Sequence, residues 1–288
     1  MSPLHVLSTV NSSLLIWSDN TKILIDGIHG PSLEFSDMAP QAVRGLAENI
    51  PPFDGIDALL FTHGHPDHFD LAKTVHYLER HSAASELTEK GAHLVSDVFL
   101  PVGGGQPDES DETLSRLLPP PARYVAPCGE PWQELVYQVG DFKVTYLHTE
   151  HVYMPIWASE NYSILLEYQG MTIFVAGDMA FPTEAQLEYL KSKHIDYGFL
   201  VPFFILHRDG VKALKALDLK RTYIYHLPFV ERKSMEFLAL VEKRAATLAP
   251  RMPSLRLLLP GGPIFTLPPR APEAGVRGVA QVTGEGCG

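Results

Sequence analysis

The sequence predicts an α+β fold in which two β-sheets pack face to face and helices cover their outer surfaces. Short apolar runs rich in β-branched residues indicate strands, stretches with helical spacing lie between and after them, and these elements form two hairpin-rich halves. The 288 residues, 45% of them hydrophobic, can bury a substantial core. No Ser/Gly linker or change of composition divides the chain. We therefore expect one domain, residues 1–266, and a loosely held C-terminal tail, residues 267–288.

The predicted strands and helices follow from the period of the apolar residues. In the first half, SSLLIWS, TKILID and DALLF are continuous apolar runs, and in the second half FKVTYLH, NYSILLEY, MTIFVA, YGFLV and TYIYH are similar. These predicted strands span residues 12–18, 21–26, 57–61, 142–148, 161–168, 171–176, 197–201 and 222–226. Apolar residues at helical spacing predict helices over residues 71–81, 183–193, 210–217 and 234–248.

Two segments rich in Pro and Gly, residues 27–53 and 101–133, are predicted as long surface loops. The longest apolar run, residues 198–206, is too short to cross a bilayer and contains Pro202. It is predicted to be a buried strand that leads into a loop, so we expect no membrane partner.

The net charge and the cysteine content indicate which binding partners and which cellular compartment suit this protein. The formal net charge of -11 argues against a general nucleic-acid binder, which needs a basic surface to attract phosphates. The first thirteen residues lack the charged and apolar regions of a secretion signal. Cys128 and Cys287 form no metal-ligand pair, and a reducing compartment suits them better than a disulfide scaffold does. We therefore expect a cytoplasmic protein with a small-molecule substrate, and homo-oligomer formation is left open.

Residues 61–70, FTHGHPDHFD, place ionisable side chains directly after a predicted buried strand. His63, His65, Asp67 and His68 occupy positions i, i+2, i+4 and i+5 of a tight loop. Imidazole nitrogens and a carboxylate are the ligands that borderline divalent metals such as zinc prefer. This spacing lets two subsets of side chains point toward neighbouring metal positions. The alternative, a solvated polar loop, does not account well for four such residues within six positions.

The sequence H-G-H-P-D-H resembles the H-x-H-x-D-H signature of the metallo-β-lactamase-fold hydrolases. The resemblance extends over roughly residues 5–260, since further landmarks of the family occur in the family's order. These are a strand ending in Asp26, a middle histidine, a strand ending in Gly-Asp at Asp178, and a late strand ending in His226. The resemblance implies a four-layer αββα sandwich with metal ligands at strand ends along one edge.

The resemblance also implies a ligand set for two metal ions. His63, His65 and a middle histidine would bind the first ion, Asp67, His68 and His226 would bind the second, and Asp178 would bridge them. Asp178 could instead merely begin a turn, and His226 could be a packed core histidine. Met179 stands where many relatives have Thr, which weakens the expected local support of Asp178.

The middle ligand is ambiguous, because LHTEH contains both His148 and His151. His148 shares a strand face with Val144 and Tyr146, which suggests an inward position. His151 lies just beyond the strand, where loops of the family present their ligand, so we favour His151. Asp26 is expected to support a ligand or to begin a turn rather than to bind metal itself.

The resemblance implies a metal-dependent hydrolase with two divalent ions, zinc first and manganese or iron as alternatives. A hydroxide that bridges the ions would attack a lactone, ester or phosphoester of a small molecule, with Asp67 and Asp178 as the catalytic carboxylates. The pattern is most similar to the branch that contains ascorbate-6-phosphate lactonase. Alternatives are a phosphodiesterase or nuclease of the same fold, or a non-catalytic protein that uses the metal site to hold a ligand.

Overall fold

The computed structural model describes residues 2–9, 11–32, 35, 37–87, 95, 97–101, 109–118, 122–152, 160–227, 235–259 and 261–269. Within this part of the chain, two seven-stranded sheets are formed. The first sheet has the order β14 (Phe265–Leu267), β1 (Leu4–Ser8), β2 (Leu14–Trp17), β3 (Lys22–Ile25), β4 (Ala58–Leu60), β5 (Asp97–Phe99) and β6 (Arg123–Val125). The second has the order β13 (Leu255–Leu257), β12 (Arg221–Ile224), β11 (Tyr197–Leu200), β10 (Met171–Val175), β9 (Asn161–Tyr168), β8 (Phe142–Thr149) and β7 (Glu134–Val139).

Both sheets combine antiparallel and parallel pairing. In the first sheet β14, β1, β2 and β3 pair antiparallel, and β3, β4, β5 and β6 pair parallel. In the second sheet β7, β8, β9 and β10 pair antiparallel, and β10, β11, β12 and β13 pair parallel. The parallel strands point their carboxyl ends toward the same edge, and polar residues that follow them are therefore brought together.

The described helices are α1 (Pro40–Glu48), α2 (Leu71–Leu87), α3 (Glu109–Leu117), α4 (Glu184–Ser192), α5 (Phe203–Leu206), α6 (Arg208–Leu217) and α7 (Met235–Leu248). The first three belong to the half that contains the first sheet, and the others belong to the second half. Among the described residues, no helix has both the length and the apolar composition needed to cross a membrane.

Two hydrophobic cores hold the four layers together. Ile23 and Ile25 of β3 belong to the main core, which also contains residues of the second sheet such as Tyr146 and Phe174. Leu24, between the two isoleucines, belongs to the other core, which lies beneath α1, α2 and α3. Because successive side chains of a strand point to opposite faces, β3 is apolar on both faces, which explains its continuous apolar sequence. The predicted αββα sandwich is confirmed.

The prediction of long loops over residues 27–53 and 101–133 was wrong in part, because both segments contain helices. Pro40 occupies the first turn of α1, where its missing N–H costs no hydrogen bond, and Asn49 ends the helix in the left-handed conformation. Ala42 and Leu46 bury the inner face of α1 in the second core. Proline therefore marks the beginning of a helix here. In the second segment α3 and β6 form, while residues 102–108 and 119–121 lie outside the described part.

Other differences concern short elements. The predictions did not include six strands of three to six residues: β1, β5, β6, β7, β13 and β14. After β11, Pro202 is the N-cap of the short helix α5, where a loop was predicted. Leu267, the first residue of the predicted tail, is buried and pairs with Leu4 in the first sheet. The predicted tail from residue 270 onward lies outside the described residues.

Candidate metal centre

The predicted metal ligands lie at the edge where strands of both sheets end. His63, His65, Asp67 and His68 follow β4, and His151 follows β8. Asp178 follows β10, and His226 follows β12. Although these segments are far apart in sequence, the strand ends converge because the two sheets pack face to face. A single site can therefore draw side chains from both sheets.

The structure brings all seven predicted side chains together in three overlapping groups, each able to hold a metal ion. Within each group, the ligand atoms lie within 4.8 Å of one another. The groups are His63–His65–His151, His63–His68–Asp178 and Asp67–His68–His226. The first group matches the predicted ligands of one ion, and the third matches those of the other.

Asp178 lies between these two ligand sets and presents a different oxygen to each. Its Oδ2 is 3.5 Å from Nε2 of His151. Its Oδ1 is 3.5 Å from Nε2 of His226 and 3.6 Å from Nε2 of His68. Oδ1 is shielded from solvent and has no hydrogen-bond partner among the described residues. This is the position that a bridging carboxylate requires, and a bound cation would satisfy the buried oxygen.

His68 and His226 point ring nitrogens at each other, which also fits a cation. Their Nε2 atoms are 3.0 Å apart, while Nδ1 of His68 faces Oδ2 of Asp26 at 2.9 Å. Burial lowers the pKa of His68, but Asp26 and Asp178 outweigh it and raise the pKa well above its ordinary value. Desolvation raises the pKa of Asp178, yet His226 and His68 hold it well below its usual range. The pocket thus stabilises positive charge at this point.

The imidazoles of His63, His65 and His226 are suited to bind metal in their neutral form. Burial lowers the pKa of His63 well below its ordinary value, and the neighbouring His68 acts in the same direction. Burial also lowers the pKa of His65 and His226. Neutral imidazole is the form that coordinates a metal, so the donor set fits divalent ions that accept nitrogen and oxygen ligands.

Asp26 supports the ligands from behind, as the sequence suggested. Its carboxylate is fully buried and accepts hydrogen bonds from the backbone N–H and the hydroxyl of Thr62, both at 2.8 Å. The Thr62 hydroxyl is also 3.0 Å from Nδ1 of His63. Asp26 and Thr62 therefore hold the Nδ1 sides of His63 and His68, which leaves their Nε2 atoms facing the site.

The contacts of His148 and His151 indicate which of them is placed to bind metal. Nδ1 of His148 is 2.6 Å from the carbonyl oxygen of Gly129, and its ring stacks on Tyr162. His148 belongs to none of the metal-capable groups found among the described residues, whereas His151 belongs to the first. His151 is thus placed to be a ligand, and His148 stabilises the strand β8.

We expect His151→Ala to lose about one of two bound metal equivalents, because the first group would keep only two side chains. The matched variant His148→Ala should retain both. Elemental analysis of the two purified variants measures this directly. Loss of metal from His148→Ala with full retention in His151→Ala would reverse the assignment.

Three residues of the site adopt left-handed backbone conformations at strand ends. Asp26, Gly177 and His226 have φ angles of 49°, 58° and 57°. This region is unfavourable for residues with a Cβ, so Asp26 and His226 are held there by their surroundings. At Gly177, a Cβ would lie 2.4 Å from Oδ1 of Asn161 and 2.9 Å from Cβ of Thr62. Only glycine fits at this turn.

We expect Gly177→Ala to destabilise the fold and to weaken metal binding, because Oδ1 of Asn161 accepts the backbone N–H of Asp178 at 2.8 Å and would be displaced. Gly170→Ala is the matched control, since Gly170 also has a positive φ but its Cβ would meet nothing within 4 Å. The control should cost about 1 kcal/mol of backbone strain alone. Thermal unfolding and metal content measure both effects, and equal losses in the two variants would refute the steric argument.

The sequence predictions did not include two groups that shape the site. Asn161 is fully buried and binds Thr149 and the carbonyl oxygen of Ala176 in addition to the backbone N–H of Asp178, so it fixes the backbone at Asp178. Phe35 contacts His226 with ring centroids 4.3 Å apart. Asn161 could have been noticed as a polar residue at the first position of a buried strand. Phe35 gave no comparable signal, because it lay in a segment predicted as a loop.

Comparisons with known proteins support the fold. The model of the β-lactamase superfamily domain matches residues 7–197. YhfI from Bacillus subtilis, a metallo-β-lactamase fold protein, superposes with a TM-score of 0.59 and 15% identity over 92% of this chain and 99% of that chain. An isothiocyanate hydrolase from Delia radicum gut bacteria superposes with a TM-score of 0.56 and 15% identity, over 93% of this chain and 100% of that chain.

The diiron β-hydroxylase CmlA from Streptomyces venezuelae gives a TM-score of 0.59 and 14% identity over 92% of this chain and 54% of that chain. No curated protein sequence matches significantly. The identities to these structures are low, so the structural likeness bears on the fold alone, whereas the family match covers more than half of the chain. The chain therefore belongs to the β-lactamase superfamily and has the metallo-β-lactamase fold.

Proposed function

We propose that this protein is a dinuclear metal-dependent hydrolase of a small molecule that carries a lactone, ester or phosphoester bond. The observation that carries the proposal is the position of Asp178, whose two oxygens face two different sets of ligands. A carboxylate placed in this way suits a pair of ions rather than one, as in two-metal hydrolytic sites. Zinc is the first choice for the donor set, and manganese or iron would also fit.

Two ions bound here would supply Lewis acidity toward a carbonyl or phosphoryl oxygen and would acidify water so that it is nucleophilic near neutral pH. The protein's own groups hold and orient the reactants. Oδ2 of Asp67 lies 3.5 Å from Nε2 of His226, and the Asp67 backbone oxygen accepts a hydrogen bond from Ser12. Asp67 and Asp178 are therefore fixed carboxylates beside the reaction centre, where they can orient water and accept its proton.

Hydrolysis fits the donor set better than redox chemistry does. The first group consists of three imidazoles, His63, His65 and His151. The resemblance to the metallo-β-lactamase-fold hydrolases implies that redox-active di-iron members would usually have a glutamate in place of His65. The isothiocyanate hydrolase of the same fold shows that the fold accommodates hydrolysis in another protein, and CmlA shows that it also accommodates a diiron hydroxylase. The narrower suggestion of a lactonase depends on the sequence resemblance to the ascorbate-6-phosphate lactonase branch.

A substrate panel tests the proposal. Chromogenic lactone, carboxyl ester and phosphodiester substrates should be offered to protein loaded separately with zinc, manganese and iron. We expect turnover of at least one bond class, with loss of that turnover in Asp178→Ala and its retention in Asp209→Ala. Asp209 is an exposed acid on α6 and serves as the matched control. Phosphodiester turnover alone would favour the phosphodiesterase alternative.

The panel also contains the outcomes that contradict the proposal. Protein that carries two ions per chain and hydrolyses none of the bond classes would favour a ligand-binding descendant of the fold. Turnover that persists in Asp178→Ala would place the activity elsewhere or in a contaminant.

A further inference from the structure

A cavity lies at the edge of the sandwich where β13 and β14 are the outermost strands of the two sheets. It has a volume of about 780 Å³ and lies where β11, β12 and β13 meet β14 and residues 258, 259, 262 and 263. Arg221 begins β12 and lines this cavity, whereas His226 follows the other end of the same strand. Five residues of extended chain separate them by about 16 Å. None of the described lining residues is a predicted metal ligand, so the cavity, which we call the basal groove, is a separate site of a size that suits a small molecule.

Aromatic rings form one wall of the basal groove. Tyr223 stacks on Phe199 with ring centroids 5.0 Å apart, and its ring also contacts Phe265 at 5.0 Å. Tyr197 lines the groove beside them, and its hydroxyl donates a hydrogen bond to the carbonyl oxygen of Pro268 at 3.1 Å. These contacts fix the rings in place, so the wall offers a rigid apolar face for a flat group.

The charge of the basal groove is opposite to that of the whole chain. Lys220, Arg221 and Arg256 line it, and none of the described lining residues is an Asp or Glu, although acids outnumber Lys and Arg by 34 to 23 in the sequence. Lys220 is paired with Asp196 at 2.6 Å. Arg256 donates only to the backbone oxygens of Pro253 and Leu255, and no ion pair of Arg221 occurs among the described residues. Within the described part of the chain, two guanidinium charges therefore remain without a carboxylate partner.

Tyr223 shares a face of the second sheet with both arginines, because Arg221 lies two residues earlier on β12 and Arg256 is the partner of Tyr223 on β13. Burial raises the pKa of Tyr223, while Arg221 and Arg256 act in the opposite direction. Two guanidinium groups and a phenol at one end of an aromatic wall resemble, in their chemistry, a receptor for a phosphate that is attached to a ring. Guanidinium forms strong paired hydrogen bonds with phosphate, and aromatic rings stack on planar bases.

We propose that the basal groove is a second ligand site that binds a small organic phosphate carrying an aromatic ring, of the nucleotide class, independently of the metal centre. Arg221 and Arg256 would hold the phosphate, and Tyr223 and Phe265 would contact the ring. This site is not part of the proposed hydrolytic reaction, so it would regulate the protein or recruit a ligand rather than take part in bond cleavage.

Isothermal titration with adenosine monophosphate tests the proposal, with adenosine and ribose 5-phosphate as partial ligands. We expect binding with a Kd below about 1 mM and weaker binding of both partial ligands. Arg221→Glu should weaken binding of the monophosphate at least about tenfold. Lys215→Glu, which makes the same charge change at an exposed position on α6, should leave the Kd within about twofold. Arg221 is exposed, so its replacement should not affect folding.

Two further variants decide which part of the chain binds. Phe265→Leu retains an apolar side chain but removes the ring, and it should weaken binding of the monophosphate while leaving ribose 5-phosphate unchanged. In Asp178→Ala, where the metal centre is impaired, the monophosphate should still bind with the original Kd. Binding that disappears in Asp178→Ala, or that Arg221→Glu leaves unchanged, would overturn the proposal. Absence of binding at millimolar monophosphate, or equal weakening by Lys215→Glu, would overturn it as well.

Discussion

Replacing Asp178 with alanine should abolish hydrolysis and release bound metal while the fold remains intact. The two oxygens of this carboxylate face the two ligand sets, so in the proposed dinuclear site its removal would leave each ion a ligand short and would remove a fixed base. The loss of activity should exceed the loss of about 10–100-fold that is typical when a residue hydrogen-bonded to a metal ligand is removed. Kinetics with the substrate found in the panel, together with elemental analysis, measure both effects.

The fold should survive this replacement because the neighbouring backbone does not depend on the side chain. The Asp178 N–H donates to Asn161, and its carbonyl oxygen accepts the N–H of Val152 at 2.7 Å. Asp209→Ala is the control for loss of an acid elsewhere. Unchanged turnover in Asp178→Ala would remove the bridging role, and an unfolded variant would show that the side chain has a structural role that these contacts do not explain.

Asp26→Asn should weaken binding of the second metal ion by about 10–100-fold, although Asp26 does not face the metal position itself. Its carboxylate fixes Nδ1 of His68 at 2.9 Å, and this contact leaves Nε2 free for the ion. Asparagine has nearly the same size and tolerates the left-handed backbone found at Asp26. The substitution therefore removes the charge beside His68 and replaces one acceptor oxygen by an NH2 donor, which also alters the hydrogen bonds from Thr62. Competition with a chelator of known affinity measures how tightly the protein binds the second equivalent of metal.

Asp57→Asn is the matched control for this substitution. Asp57 precedes β4, and its carboxylate accepts the backbone N–H of Lys22, at the end of the strand away from the site. The metal affinity of the Asp57→Asn variant should equal that of the unmodified protein. If both variants lost metal equally, the effect of Asp26→Asn would reflect general destabilisation rather than the orientation of His68.

The sequence was most informative where chemistry is concentrated within a few residues. His63, His65, Asp67 and His68 lie in one loop, and a strand of continuous apolar residues precedes them, so both their chemistry and their place at a strand end could be predicted. His226 and Asp178 are distant in sequence, and only the order of family landmarks connected them to that loop. Periodicity alone could not have distinguished His226 from a packed core histidine.

The fold was predicted least well where tertiary contacts decide the local structure. Helix α1 begins at Pro40 within a segment rich in Pro and Gly, and its inner face is stabilised by the second core rather than by its own sequence. Strands β5 and β6 have three residues each, too few for a period to be recognised. Their position depends on parallel pairing with β4, which no local pattern encodes.

The support behind the ligands was also difficult to predict. Asp26 could be identified as a residue at a strand end, but its contact with His68 depends on a left-handed backbone at position 26 and on the hydroxyl of Thr62. Asn161 acts through a backbone N–H 17 residues later in the sequence. Such contacts arise only when the two sheets pack, so sequence patterns within one element do not reveal them.

The central claim is that one site holds two ions that Asp178 bridges, and metal content per chain tests it most directly. Protein purified without chelator and without a metal-affinity column should be measured by elemental analysis, before and after reconstitution with zinc. We expect about two equivalents per chain, falling to one or fewer in Asp178→Ala. One equivalent or fewer in the unmodified protein after reconstitution would contradict the dinuclear site.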